Sequence, residues 1–158
     1  MAPKVAWAVL ADTLSPGLAP DAAYRWRRRR SRLAHDDEPE QLLASWVASR
    51  AERRLFQARR PDGVLTDERV VLSGLSDRRA GIAAGGFVEG YVLSRDLSAL
   101  RREHLLRPAS HRPDVVLHVV DVLPPSPVPL LVLAADLAEH DQPRELARAR
   151  ELIVEALA

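Results

Sequence analysis

The sequence predicts an α/β (α+β) protein: a helical N-terminal segment, then a small mixed sheet of about three to four strands covered by helices, then two C-terminal helices. Three observations predict it. Val70 to Leu93 reads as strand, small-residue turn, short helix, glycine break and second strand. Asp114 to Val122 is apolar on both faces, which suits a central strand. Apolar residues recur at helical spacing before Leu55 and again after Pro129.

A chain of 158 residues can bury one sizeable core, or one domain with an appendage. Cysteine is absent, which excludes disulfides, thiolate metal sites and a cysteine nucleophile. No run approaches the roughly 20 apolar residues that span a bilayer, and Val5 to Leu10 is short for a signal segment, so the expected setting is soluble and cytoplasmic.

Taken in order, Lys4 to Leu14 has helical spacing and Ser15-Pro16-Gly17 stops it. Asp21 is placed to cap a second helix running to Leu33. Glu38-Pro39-Glu40 opens a third, whose apolar stripe is Leu42, Leu43, Trp46, Val47 and Leu55, with Trp46 as core anchor. Arg59-Arg60-Pro61-Asp62-Gly63 is a break, giving a helical, basic segment 1–60 and an α/β domain 64–158.

Within the α/β part, Val70 to Leu72 forms a strand that turns at Ser73-Gly74, and Ser76 caps a short helix over Asp77 to Ala84. Phe87 to Leu93 is the next strand, and Ser94 caps a helix from Arg95 to about Leu106. The strand Asp114 to Val122 carries His118 as a hydrogen-bonded core residue, and the prolines between Leu123 and Pro129 then leave the sheet. Leu130, Leu133, Ala134 and Leu137 mark the first C-terminal helix; Leu146, Ala149, Ile153, Ala156 and Leu157 mark the inward face of the second.

The strongest electrostatic feature is in the second helix. Arg25, Arg27, Arg28, Arg29, Arg30 and Arg32 are six arginines within eight positions, with Tyr24 and Trp26 interleaved. Guanidinium groups pair bidentately with phosphates and stack on bases, so double-stranded DNA is the candidate partner. Two readings stay open, because Asp36, Asp37, Glu38 and Glu40 follow closely and can neutralise the run into an ordinary solvated face. Helix, Pro-Gly turn and basic helix also suggest a reduced helix-turn-helix, although the connection Ser15 to Pro20 exceeds the usual turn of about 3–4 residues.

The unit from Val70 to Leu93 resembles the opening of a nucleotidyltransferase-like domain. In that family the turn is Gly-Ser or Gly-Gly, and two acids one residue apart on the second strand hold divalent metal on nucleotide phosphates. Here the turn is Ser73-Gly74, Glu89 stands at one acid position and Tyr91 at the other. A phenol with a pKa of about 10 does not replace a carboxylate ligand. The resemblance implies a degenerate site of Ser73, Gly74, Glu89 and Tyr91, with Asp121 as a third acid or as a strand-end cap.

Residues 64–158 resemble more closely the C-terminal domain of AbiEi-type antitoxins and related winged-helix transcriptional regulators. Val70 to Gly74 with Val88-Glu89-Gly90-Tyr91-Val92, Arg107-Pro108 ahead of Asp114 to Val120, and Leu131 to Leu137 ahead of Pro143-Arg144 carry the likeness. It implies a type IV toxin-antitoxin or transcriptional-regulator protein that binds DNA and opposes a cognate toxin, without catalysis, catalytic residues, metal or cofactor. No phosphate loop with lysine, no Gly-x-Ser-x-Gly and no His-Glu-x-x-His occurs. Two alternatives remain: an active metal-dependent nucleotidyltransferase using Glu89 and Asp121, and an interaction module or homodimer whose leucine-rich terminal helices bind a partner.

Overall fold

The structure, a computed structural model, describes residues 1–11 and 19–158. The fold is mixed helix and sheet, as the patterning predicts, and the described residues form two compact units: 1–50 with 129–158, and 51–128. This division does not follow the break at Pro61. The C-terminal helices belong with the N-terminal ones, and the sheet unit begins before the expected boundary.

The first unit is helical. It comprises α1 (Pro3–Leu10), α2 (Pro20–Ala34), α3 (Pro39–Val47), α6 (Leu130–Ala138) and α7 (Pro143–Leu157). The sheet unit holds β1 (Glu52–Gln57), α4 (Pro61–Leu65), β2 (Val71–Leu72), β3 (Val88–Leu93), α5 (Leu97–Glu103), β4 (Arg107–Pro108) and β5 (Val115–Val120).

In the helical unit α1, α2, α3 and α7 all begin with proline in the first turn, where its missing N–H would have no partner anyway. Asp21 therefore does not cap α2; it lies in the first turn, where its charge still suits the positive end of the helix dipole. The expected stop at Ser15-Pro16-Gly17 lies outside the described residues. From Leu131 to Ala138 every residue of α6 is buried, wider than the predicted stripe, which makes α6 the centre of this unit. Leu43 and Val47 anchor α3, whereas Trp46 is only partly buried, under the guanidinium of Arg32.

In the sheet unit the strand order is β2-β3-β5-β1-β4, with β3 and β5 parallel and the other pairs antiparallel. The predicted central strand is central: β5 is buried throughout, between β3 and β1. One face packs Val88, Val92, Val115, Leu117 and Val119 with Phe56, Val64 and Leu100 in one cluster. The alternating positions Glu89, Tyr91, Val116, His118 and Val120 turn to the other face and are also buried.

Three expectations change here. Leu55 belongs to β1, not to the third helix: α3 ends at Val47, and Phe56 pairs with Val115 and Pro108 across the sheet. The helix expected over Asp77 to Ala84 is two 3-10 turns, Gly74–Ser76 and Arg78–Ala80. The Asp77 side chain caps the second by accepting from the Arg79 N–H, and Gly81 at φ +65° ends it. Ser94 does not cap α5; its hydroxyl bonds Val120 O at 3.2 Å and Asp121 Oδ1 at 3.0 Å, and the helix is confined to Leu97–Glu103.

Candidate functional site

The sheet unit builds its buried polar site around Glu89. Ser73-Gly74 leaves β2 with Gly74 at φ +52°, a conformation glycine adopts without strain, and this aims the next backbone N–H into the sheet. Leu75 N–H donates to Glu89 Oε2 at 3.0 Å. His118 Nε2, on the neighbouring strand, stands 2.9 Å from Glu89 Oε1. Ser76 Oγ accepts the Glu89 N–H at 2.8 Å, and Ser73 N–H donates to Glu89 O at 3.1 Å.

Glu89 and Tyr91 are fully buried and His118 nearly so. Tyr91 stacks on the His118 ring with centroids 4.8 Å apart and planes 24° from parallel. Parallel register pairs Tyr91 with His118, so the group follows directly from the alternation of β3 and β5.

This geometry bears on the residues singled out from the sequence. Ser73, Gly74, Glu89 and Tyr91 do come together; Asp121 does not join them. Glu89 pairs with Val116, and Asp121 lies five residues further on, about 16 Å along the strand at ~3.3 Å per residue. It is exposed and held by Ser94, which matches the strand-end reading. The side chain beside Glu89 is His118. The small-residue turn that would approach a nucleotide phosphate receives the Glu89 carboxylate instead.

A second polar cluster, invisible in the sequence, ties the loop after α4 to the end of α5. Asp67 accepts from Arg69 Nε at 2.9 Å and from its Nη2 at 2.7 Å, faces His104 Nε2 at 2.8 Å, and shares Arg69 with Glu103. Hydrogen bonding by Arg69 holds the Asp67 carboxyl far below the ordinary carboxylate range, against the opposing effect of burial. Asp67, Glu103 and His104 offer three donor atoms within 4.8 Å of one another, but Arg69 already supplies the cation to both carboxylates. These residues are separated by up to 37 positions, so no local spacing could have revealed them.

In the helical unit, α2 sorts its arginines by face. Ala23, Trp26, Arg30 and Leu33 fall on the inner side at helical spacing. Arg30 donates to Ala11 O at 3.2 Å and Ala156 O at 2.8 Å and lies 4.6 Å from the Trp26 ring, so Trp26 and Arg30 are packing residues. Arg25, Arg28 and Arg32, with Tyr24 at 59% exposure, form the outer face, flanked by Arg27 and Arg29.

Among the described residues the acids downstream form no ion pair with this face. Glu40 is buried in a bidentate pair with Arg150 of α7, at 3.0 and 2.9 Å. Asp37 O accepts from the same guanidinium, and Asp36 Oδ1 accepts the Glu38 N–H. Among the described residues no acid pairs with Arg25, Arg27, Arg28 or Arg29.

No family model, no curated protein and no solved structure matches the chain. Among the described residues no helix is long and apolar enough to cross a membrane.

Proposed function

We propose that the chain is a small cytoplasmic regulatory protein, of the antitoxin or transcriptional-regulator type, that binds duplex DNA through the outer face of α2 and performs no catalysis. The observation that carries this reading is the outward set Arg25, Arg28, Arg29 and Arg32, of which Arg29 is half-buried and the other three exposed, with no polar or charged partner for Arg25, Arg28 or Arg29 among the described residues. Four guanidinium groups at i, i+3, i+4 and i+7 cover about 10 Å of one helix face, a spacing that meets a row of phosphates rather than one anion. Tyr24 stands beside them as an aromatic contact. The non-catalytic part is supported by Glu89, whose carboxylate occupies the Ser73-Gly74 turn and lies far from Asp121. A cognate toxin would be a further partner, as the family resemblance implies.

The test is fluorescence anisotropy of a labelled random-sequence duplex over a salt series, with wild type and with Arg25, Arg28, Arg29 and Arg32 all changed to Gln. Counterion release gives a log–log slope of about −0.9 per neutralised phosphate, so the variant should flatten the slope by about 3 to 4. A wild-type protein that binds no duplex at low salt refutes the proposal.

A further inference from the structure

The sheet unit carries a basic surface of its own. β4 pairs with the end of β1, Gln57 opposite Arg107, and Arg59 and Arg60 follow Gln57 after Ala58. The loop from Ala109 to Asp114 is tied back to the same strand: Ala109 N–H donates to Leu55 O at 3.0 Å and Asp114 N–H to Phe56 O at 3.1 Å. Gln57 Nε2 reaches the carbonyls of His111 and Arg112, each at 3.5 Å. Arg59, Arg60, Arg107 and Arg112 therefore converge on the end of β1, with His111 among them.

All four arginines are exposed, and none of their guanidinium groups bonds or pairs with a described residue. Of the nearby acids, Asp114 is turned inward to accept the Ala58 N–H at 2.7 Å, and Asp62 stands in the first turn of α4. Arg112 is held at φ +46°, an uncommon conformation for a residue with a β-carbon and one that concentrates at functional positions. Arg107 stands on β4 and Arg59, Arg60 and Arg112 on the segments that flank the same edge; four such cations repel one another, and an extended polyanion, not a single ion, relieves them all.

We infer that this β1–β4 edge is a second phosphate-binding surface for duplex DNA. The inference rests on the DNA-binding reading of the chain but on different residues. Its occupant follows from charge complementarity and from the guanidinium fork, which matches phosphate oxygens two at a time. Phosphate contacts position a protein without reading sequence, so the edge adds affinity and register, not specificity.

The full-length chain is titrated onto a fluorescein-labelled random 20-bp duplex between low and physiological salt in four forms: wild type; the edge variant R59Q/R60Q/R107Q/R112Q; the α2 variant R25Q/R28Q/R29Q/R32Q; and all eight changes together. Far-UV circular dichroism checks that each is folded. The edge variant is expected to lose affinity equally for unrelated sequences and to flatten the salt slope by up to about 3.6, at 0.9 per contact. The α2 variant should keep a salt-dependent remnant that the eightfold variant loses. An edge variant with wild-type affinity and slope overturns the inference while leaving the α2 reading intact. Loss in the edge variant with none in the α2 variant does the reverse. A tighter, edge-dependent affinity for duplex RNA than for duplex DNA overturns the choice of DNA, and no binding by wild type overturns both readings.

Discussion

Replacing Gly74 by alanine should destabilise the sheet unit by about 4–7 kcal/mol, most of it through a residue 15 positions away. A β-carbon on Gly74 falls 1.9 Å from Glu89 Oε2, 2.1 Å from its Cδ and 2.8 Å from Oε1. The glutamate has no room to yield: it is fully buried, with Oε2 accepting from Leu75 N–H at 3.0 Å and Oε1 facing His118 at 2.9 Å. Moving the carboxylate takes this acceptor from both groups, which resembles breaking a buried pair and costs about 3–5 kcal/mol. The φ of +52° adds about 1–2 kcal/mol for a residue with a β-carbon. Whole-domain stabilities are about 5–15 kcal/mol, so the variant should be largely unfolded at modest urea. The assay is urea unfolding followed by far-UV circular dichroism, because Trp7, Trp26 and Trp46, all three tryptophans of the chain, lie in the helical unit and do not report the sheet. Glu89→Ala removes the obstacle, so Gly74→Ala should cost far less in that background, a coupling of more than 1 kcal/mol in the double-mutant cycle. A Gly74→Ala protein within 1 kcal/mol of wild type, or a cycle that closes additively, would refute the packing argument.

Two further outcomes follow from ion pairs. Arg50, at 3% exposure, donates to Val47 O at 3.1 Å and to Glu139 at 2.6 Å and pairs with the fully buried Asp136; Arg50→Ala should cost about 3–5 kcal/mol and lower the melting midpoint by roughly 10 °C or more. Arg50→Met with Asp136→Leu should recover most of that loss, and a double variant no better than the single would show that the stranded charge is not the cause. Asp67 has its pKa depressed in the folded state by Arg69, so it contributes stability above its unfolded value of about 3.9 and loses it as pH falls below that. Wild type should therefore exceed Asp67→Asn in unfolding midpoint at pH 7, with the gap narrowing steadily from about pH 5 downwards; a gap independent of pH would contradict the assignment.

How much of this was legible in the sequence depends on the range over which each signal acts. β5 and the turn at Ser73-Gly74 were readable because an uninterrupted apolar run and a glycine needing positive φ are local facts. β1 was not, since Glu52, Arg53 and Arg54 hide its alternation and Leu55 happens to continue the helical spacing of α3. Its aromatic residue is covered by long cationic side chains, Arg54 at 5.8 Å and Arg101 at 5.3 Å from the Phe56 ring, and such snorkelling makes a half-buried strand look polar. The return of α6 and α7 to the N-terminal helices is a long-range fact. Buried Asp136 needed a cation, and Arg50, 86 residues earlier, supplies it. In the candidate site, Glu89 and Tyr91 were identified from one strand, but the partner on the next strand depends on register, which puts His118 and not Asp121 beside them.

The charge pattern of α2 makes the same point about function. Arg25–Arg28, Arg25–Arg29, Arg28–Arg32, Arg29–Arg32 and Arg27–Arg30 are like-charge neighbours at i,i+3 or i,i+4, each unfavourable by about 0.2–0.5 kcal/mol. Together they burden a helix that has no side-chain cap at its N-terminus and whose N-terminal proline already marks the limit of its hydrogen bonding. Asp21, four residues before Arg25, offsets one of them at most. A face needed only for solubility would be served as well by interspersed acids, which the chain has nearby and commits elsewhere: Glu40 goes to Arg150, and Asp36 to a backbone N–H. On the proposed DNA-binding reading, the repulsion carried in the free protein would be relieved by the polyanion, and part of the binding free energy would come from the strain of the unbound helix.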